Sequence, residues 1–323
     1  MANPNLSEIT TTTLRNRSRQ LADNVTDNTA LLFRLKERGN VRPVSGGEDI
    51  LEELFYAENQ TYKRYTGYEV LDISPSDVIT SASFAWKQAA VAISISGLEQ
   101  LQNTGPDQMI DLLAARVENA EMTFMNNLSA DIYSDGTADG GKQIGGLQLL
   151  VADDPTTGTV GGINRATFSF WRNQVTDFTT DIGGASTSSN MQEGMRTLWV
   201  KQVRNQDKPD LIPADNDYYE KFWASLQTQQ RFTNSRLAEA GFSNLKFNTA
   251  DVVLDGGVGG DAPSSHMYFL NTRFISYRPH RSRDMVPLDP DRFATNQDAM
   301  IKLIGWAGNM TLRNGELQGV LKE

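Results

Sequence analysis

Residues 65–133 constrain the fold of this chain most, because two extended runs there lead directly into one long helix. The first run is TGYEVLDIS (Thr66–Ser74), PSD (Pro75–Asp77) is a turn, and the second run is SFAWKQAAVAISIS (Ser83–Ser96). The pattern predicts a long hairpin. An isolated hairpin is only marginally stable in water. We therefore expect another surface, elsewhere in the chain or on a neighbouring copy, to cover it, as in a subunit of an assembly.

The helix after the hairpin is predicted by its apolar periodicity. Pro106 suits the first turn of a helix, and apolar residues then recur at steps of three and four as one stripe. About 26 residues at the rise of an α-helix would form a rod of roughly 40 Å. The stripe consists of Ile110, Leu113, Val117, Ala120, Phe124, Leu128 and Ile132.

The rest of the chain reads as a leading helical arm and a mixed region that returns to strands. Helical spacing over Leu6–Arg38 ends at Gly39. Helices are also predicted around residues 190–203 and 216–226, and strands over residues 266–279 and 299–314. The fold class expected from this order is α+β.

Charge and composition limit the kinds of partner. With 323 residues and no cysteine, the chain can form a large core without disulfides or thiolate sites. No apolar run reaches the roughly 18 residues that a membrane span needs, so we expect a soluble protein made in the cytoplasm. The net charge is −10, yet residues 1–47 carry +3 and the remainder −13. A basic arm that includes Arg15, Arg17 and Arg19 is expected to contact an acidic partner or the acidic body of another copy.

No chemical motif predicts catalysis, a cofactor or a metal. GTADGGKQ (Gly136–Gln143) has the spacing of a phosphate loop, but Gln143 stands where magnesium binding needs Ser or Thr, and a helix precedes it. His266 and His280 are the two histidines, and neither lies in a metal-binding or triad spacing. The arginines of residues 273–283 predict intersubunit ion pairs rather than phosphate contacts.

Five strings carry a resemblance to a known family. They cover much of the chain and look like one branch of the major capsid proteins of tailed bacteriophages, which have the Hong Kong 97-type fold. The strings are TTTLRNRS (11–18), KRYTGYEVLDISPSDVI (63–79), WKQAAVAISISGLEQLQN (86–103), GGLQLLVADDPTTGTVGGINRATFSFWRN (145–173) and NQDAMIKLIGWAGNMT (296–311).

The resemblance implies a division of the chain into parts. Residues 1–47 would be the N-terminal arm and 48–97 the extended hairpin loop that lies across a neighbouring subunit. Residues 98–143 would hold the spine helix of the peripheral domain, 144–264 would form the axial domain, and 265–323 would return mainly to the peripheral domain.

The resemblance also implies a function without catalysis. The chain would self-assemble as pentamers and hexamers into the icosahedral shell of a virion and enclose double-stranded DNA without reading its sequence. A separate scaffolding protein, a portal and a decoration protein would be further partners, and neither a cofactor nor a membrane is expected. The alternatives are an α/β ligand-binding protein or enzyme, or another virion component such as a decoration protein. The residues expected at intersubunit contacts are Arg15, Arg17, Arg19, Ser74, Pro75, Ser76, Asp77, Phe84 and Trp86.

Overall fold

The computed structural model describes residues 29–97, 106–226, 244–255, 261–293 and 299–323. Its helices are α1 Ala30–Glu37, α2 Pro106–Ile132, the single turns α3 Ala138–Gly141 and α4 Leu147–Leu150, α5 Met191–Gln202 and α6 Asn216–Ser225, with a 3-10 turn at Ser169–Trp171 and a π turn at Phe178–Ile182. Its strands are β1 Ile50–Phe55, β2 Ile79–Phe84, β3 Lys87–Ser96, β4 Thr159–Val160, β5 Ile163–Asn164, β6 Gln174–Asp177, β7 Leu211–Ala214, β8 Asn244–Phe247, β9 Ala250–Leu254, β10 His266–Phe269, β11 Ile275–Pro279, β12 Val286–Phe293, β13 Ala299–Leu312 and β14 Gly319–Lys322.

The long strand β13 organises a four-stranded antiparallel sheet. It pairs with β3 over ten residue pairs, from Ala299↔Ser96 to Gly308↔Lys87. It also pairs with β12 and, nearer its C-terminal end, with β11. The predicted strand over residues 299–314 is therefore confirmed, and it joins segments that lie about 200 residues apart in the sequence.

A second sheet has six strands in the order β6-β14-β10-β7-β9-β8. The pairs β6/β14 and β7/β9 are parallel, and the other pairs are antiparallel. Helices α5 and α6 pack on this sheet through buried side chains such as Met195, Leu198 and Phe222. Two of its strands, β10 and β14, come from beyond residue 264, where the sequence placed a domain boundary. The domain boundaries remain a prediction.

Helix α2 agrees with the predicted stripe. Val117, Ala120, Phe124, Leu128 and Ile132 are all buried in one core with β3 and the four-stranded sheet. The side chains of Ile110 and Leu113 lie outside the described part of the helix. The steps of three and four put these apolar side chains on one face, and burial of that face holds the helix against the sheet.

The predicted hairpin is wrong in its pairing. Residues 66–74 form no strand; β1 Ile50–Phe55 pairs with β2 Ile79–Phe84 instead, in six antiparallel pairs. Residues 87–96, assigned to the returning strand, belong to β3 and pair with β13. β13 offers β3 ten antiparallel pairs next to the core, whereas residues 66–74 are exposed throughout. The connection 56–78 is therefore a long loop and not a tight turn at Pro75–Asp77.

A half-buried acid, Asp255, lies just beyond the C-terminal end of α2. The Tyr133 hydroxyl donates to Oδ2 of Asp255, and Tyr133 is fully enclosed. Burial raises the pKa of Asp255 to about 6; the Tyr133 hydrogen bond opposes this, and Asp261 adds to it. Burial and the charge of Asp255 also raise the pKa of Tyr133. The pair links the end of α2 to the end of β9, two elements from distant parts of the chain.

The backbone at Gly146 passes very close to the C-terminal end of α2. At Gly146, a Cβ atom would lie 2.4 Å from the carbonyl oxygen of Ile132 and 2.5 Å from that of Asp131. Such distances are impossible for a real side chain. Gly146 is therefore required by close backbone approach, although its φ is an ordinary −83°.

Candidate intersubunit surface

Within the predicted extended loop (residues 48–97), β1 and β2 form a two-stranded ladder at the base, with one buried face. Along β1 the side chains alternate, so that Ile50, Glu52 and Leu54 are buried while Leu51 and Phe55 are exposed. This alternation is the normal consequence of strand geometry. The buried face holds the loop to its own subunit, and the exposed face is free for other contacts.

Glu52 fixes this ladder to the four-stranded sheet. Its Oε1 atom accepts hydrogen bonds from Nε of Arg278 at 2.7 Å and from the Thr311 hydroxyl at 2.8 Å. The Nη2 atom of Arg278 lies 2.6 Å from the same oxygen. Glu52 and Arg278 are both mostly buried, so this ion pair is shielded from water and depends on its geometry.

Further contacts close the loop where the chain enters and leaves it. Trp86 donates its indole N–H to the carbonyl of Gly47 at 3.0 Å, and its ring meets that of His280 edge-on, with ring centres 5.4 Å apart. The Ser83 hydroxyl donates to Asp49 at 2.6 Å. The base of the loop is therefore held on both sides.

The rest of the loop is unusually apolar for an exposed segment. Ten of the fourteen exposed large apolar and aromatic side chains of the described residues lie between Leu51 and Ile79. Val70 is 86% exposed and Ile73 is 92% exposed. Contiguous exposed apolar surface of this kind marks interaction sites. The ten residues are Leu51, Phe55, Tyr56, Tyr62, Tyr65, Tyr68, Val70, Leu71, Ile73 and Ile79.

An aromatic groove runs beside the ladder, with a volume of about 330 Å³. Tyr56 and Phe170 lie with ring centres 5.5 Å apart, and Phe168 and Phe170 with centres 5.9 Å apart. Phe168 is exposed. The lining residues are Tyr56, Asp77, Ile79, Thr80, Ile163, Phe168 and Phe170. The groove extends the apolar surface of the loop onto the segment after β5.

The structure separates the predicted contact residues into three groups. Ser74, Pro75 and Asp77 are exposed on the returning side of the loop, and Ser76 is half-buried. The side chain and backbone of Ser74 donate hydrogen bonds to Asp72, and these bonds order this part of the loop. They also hold the pKa of Asp72 below its usual range. These four residues stay predicted contacts.

Phe84 and Trp86 differ from that group. Phe84 is buried in its own subunit, where it packs on Gly161, and its role as an intersubunit contact stays a prediction. Trp86 is half-buried and stays a predicted contact. Arg15, Arg17 and Arg19 lie outside the described residues.

Two features of this surface were missed by reading the sequence. The pairing of Glu52 with Arg278 spans 226 positions, and no local pattern indicates it. The tyrosines of residues 62–68 could have been noticed, because three tyrosines fall within seven residues.

Three arginines of residues 273–283 have partners in their own chain, whereas intersubunit ion pairs were predicted for this cluster. Arg278 is committed to Glu52, and Arg273 pairs with Asp207 of the same chain at 3.0 Å. Arg283 donates to Gln88 at 3.3 Å. The expectation of intersubunit ion pairs is therefore wrong for Arg278, and Arg273 already has a partner in its own subunit.

Two features are absent from the described ranges. No group of three or more His, Cys, Asp or Glu side chains there is arranged to hold a metal ion. No helix in those ranges is both long enough and apolar enough to cross a bilayer.

Comparison with known proteins gives matches of structure. No protein-family model and no curated protein sequence matches the chain. A chain of the cyanophage A-1(L) capsid asymmetric unit matches with a TM-score of 0.62 and 16% identity, over 88% of this chain and 91% of that chain. The chain has the Hong Kong 97-type capsid fold. A chain from the capsid of Myoviridae phage XM1 matches with a TM-score of 0.51 and 13% identity, over 89% of this chain and 91% of that one.

A third capsid structure agrees with these two. A chain from the capsid of a native GTA particle matches with a TM-score of 0.53 and 8% identity, over 88% of each chain. The predicted fold class is thereby confirmed.

Proposed function

We propose that this protein is the major capsid protein of a tailed phage, a structural subunit that assembles as pentamers and hexamers into an icosahedral shell around double-stranded DNA. The proposal rests on one combination of features. The chain has the capsid fold, and its extended loop is anchored at the base while Val70 and Ile73, which lie away from the base, are almost completely exposed. A subunit that worked alone would gain nothing from such a surface and would risk aggregation.

The loop supplies the contact that a closed shell needs. A contact between two different surfaces of identical subunits generates a ring when the rotation closes. The loop and aromatic groove of one copy provide one such surface, and the body of the adjacent copy provides the other. We propose Ser74, Pro75, Ser76, Asp77 and Trp86 as contacts, together with the apolar residues of the loop.

The two sheets correspond to two domains of the proposed shell subunit. The four-stranded sheet with α2 forms the peripheral domain, and the six-stranded sheet with α5 and α6 forms the axial domain around the symmetry axes. The last strand, β14, then belongs to the axial side. This assignment moves part of residues 265–323 from the peripheral domain, where the sequence placed it.

Charge supports an enclosing role rather than tight DNA binding. Residues 48–323 carry −13, and a wall of that sign repels phosphates and leaves packaged DNA free to move. A separate scaffolding protein, a portal and a decoration protein complete the set of proposed partners. The protein is made in the cytoplasm of the host bacterium and is located in the virion.

Negative-stain electron microscopy of the purified full chain tests the proposal. The chain is examined alone and after co-expression with the neighbouring phage genes. Shells, tubes, pentamers or hexamers are expected in at least one condition. A strictly monodisperse monomer in both would overturn the proposal and favour a ligand-binding protein.

A further inference from the structure

A cavity of about 500 Å³ lies where the chain leaves α1 and passes the ends of β11 and β13. Four of its six lining residues are arginines. The lining consists of Arg38, Asn40, Arg42, Arg273, Phe274 and Arg313, and none of these is acidic. We call it the arginine pocket. It shares no lining residue with the aromatic groove.

Two of these arginines have carboxylate partners. Nε of Arg38 lies 3.2 Å from Oδ2 of Asp210, and Nη1 of Arg273 lies 3.0 Å from Oδ1 of Asp207. Asp210 is shared, because Nε of Arg34 lies 3.5 Å from the same oxygen and Thr272 donates to it as well. The available negative charge therefore does not neutralise the pocket.

The other two arginines contact neutral oxygen atoms. Arg42 donates to the carbonyl of Gly39 at 3.3 Å and to Oδ1 of Asn40 at 3.1 Å. Arg313 donates to the carbonyl of Arg273 at 2.7 Å, and its Nε atom is buried without a hydrogen-bond partner. Within the described part of the chain, neither arginine pairs with a carboxylate.

The electrostatic surroundings of Arg313 agree with this geometry. Burial lowers the pKa of Arg313, Glu52 raises it, and Arg42, Arg278 and Arg273 lower it further. A half-buried guanidinium without a carboxylate partner costs free energy, and a bound anion would remove that cost. Guanidinium groups are forks of donors that fit carboxylate and phosphate oxygens in pairs.

We propose that the arginine pocket is an oxyanion-binding site, which takes a phosphate ion or a carboxylate group between Arg42, Arg273 and Arg313. The volume admits a group of this size with room for water. The carboxylate would come from a second copy of the chain, whereas phosphate would come from solution. The proposal stands independently of the capsid function.

Titration with sodium phosphate tests the site, with sodium chloride at equal ionic strength as the reference. Binding to the full chain is measured by calorimetry, and the melting temperature by thermal denaturation. Arg42→Gln and Arg273→Gln each remove a donor whose own contacts are local or exposed, so both variants are expected to fold. Arg196→Gln removes an exposed charge on α5, outside the pocket, and is the matched control.

Phosphate is expected to raise the melting temperature of the wild-type protein and of Arg196→Gln more than chloride does. In Arg42→Gln and Arg273→Gln, phosphate affinity should fall at least about tenfold, since each lost bond is charge-assisted. Equal phosphate binding in all variants, or no difference between phosphate and chloride, would overturn the proposal.

The source of the oxyanion is decided by the same titration on dispersed subunits and on assembled particles. If phosphate binds both forms, the natural ligand is a free ion. If phosphate binds dispersed subunits but is excluded from particles, a carboxylate of a second copy occupies the pocket there. Both results support the site. Failure of the chain to assemble would leave the phosphate titration of subunits intact, so the two proposals can fail separately.

Discussion

Glu52 on β1 and Arg278 on β11 form a buried ion pair, with 2.6 Å between Oε1 and Nη2, that fastens the extended loop to the four-stranded sheet. The Thr311 hydroxyl binds the same oxygen. Three elements therefore meet at one carboxylate. Because this carboxylate is one of the points at which the loop is tied to the core, its loss should loosen the loop without removing the sheet.

Glu52→Gln is expected to lower the free energy of unfolding by about 3–5 kcal/mol, because Arg278 would remain buried without a negative partner. It should also expose the loop to protease. Denaturant unfolding and limited proteolysis measure the two effects. Glu53→Gln, on the exposed side of the same strand, is the control and should change stability by less than about 0.5 kcal/mol. Equal behaviour of the two variants would show that the ion pair does not hold the loop.

Ile73→Asp should abolish assembly while leaving the subunit folded. Ile73 is 92% exposed, so the charge costs little in the isolated chain, but it would have to be desolvated at an apolar interface. Sedimentation and electron microscopy measure assembly, and circular dichroism measures the fold. Val200→Asp, at a residue of α5 that is 71% exposed, is the matched control and should assemble. Shells formed by Ile73→Asp in normal yield would contradict a role of the loop in contacts.

The stability of the subunit should depend on pH through Asp255. Its pKa is raised from 3.8 to about 6, so the folded state holds the proton more tightly than the unfolded state. The stabilising effect is complete below pH 3.8 and is lost as the pH rises through about 6. The change is on the order of 3 kcal/mol.

Asp255→Asn tests this dependence, because the amide oxygen can still accept from Tyr133 but cannot ionise. At pH 7.5 the variant should be more stable than the wild type, and the difference should disappear below pH 4. Urea unfolding from pH 4 to 8 measures it, with Asp77→Asn in the exposed loop as control. Parallel pH profiles for wild type and Asp255→Asn would refute the assignment.

Gly146→Ala should destabilise the end of the spine helix. The new Cβ would meet the carbonyl oxygens of Ile132 and Asp131 and the nitrogen of Ser134, all of which are backbone atoms that cannot swing aside. Overpacking of this kind costs about 1–3 kcal/mol. Thermal unfolding measures the loss. Gly184→Ala has no atom within 4 Å of the new Cβ and should melt like the wild type.

The local pattern was enough to predict α2 and β13, because burial along α2 repeats at helical spacing and β13 is a long run that is buried without interruption from Ile304 to Leu312. The same reasoning failed for residues 66–74. Val70 and Ile73 belong to an apolar run that reads as a strand, but in the subunit they remain exposed. An apolar pattern indicates that a side chain is to be buried, but it does not indicate whether its own subunit or another molecule buries it.

Pairings between distant segments could not be predicted at all. The partner of β3 is β13, and the partner of Glu52 is Arg278, each more than 200 positions away. The arginine pocket likewise combines residues 38–42 with residues 273 and 313. Such sites arise from the path of the chain through the fold, which sequence spacing does not record.

The ladder between β3 and β13 has a consequence for the timing of synthesis. After a ribosome has completed β3, it must add about 200 further residues before β13 exists to receive it. Until then the strand that leaves the loop has no partner, and the loop has no fixed direction. A nascent chain therefore cannot complete the four-stranded sheet, or fix the direction of the loop, until translation has passed β13.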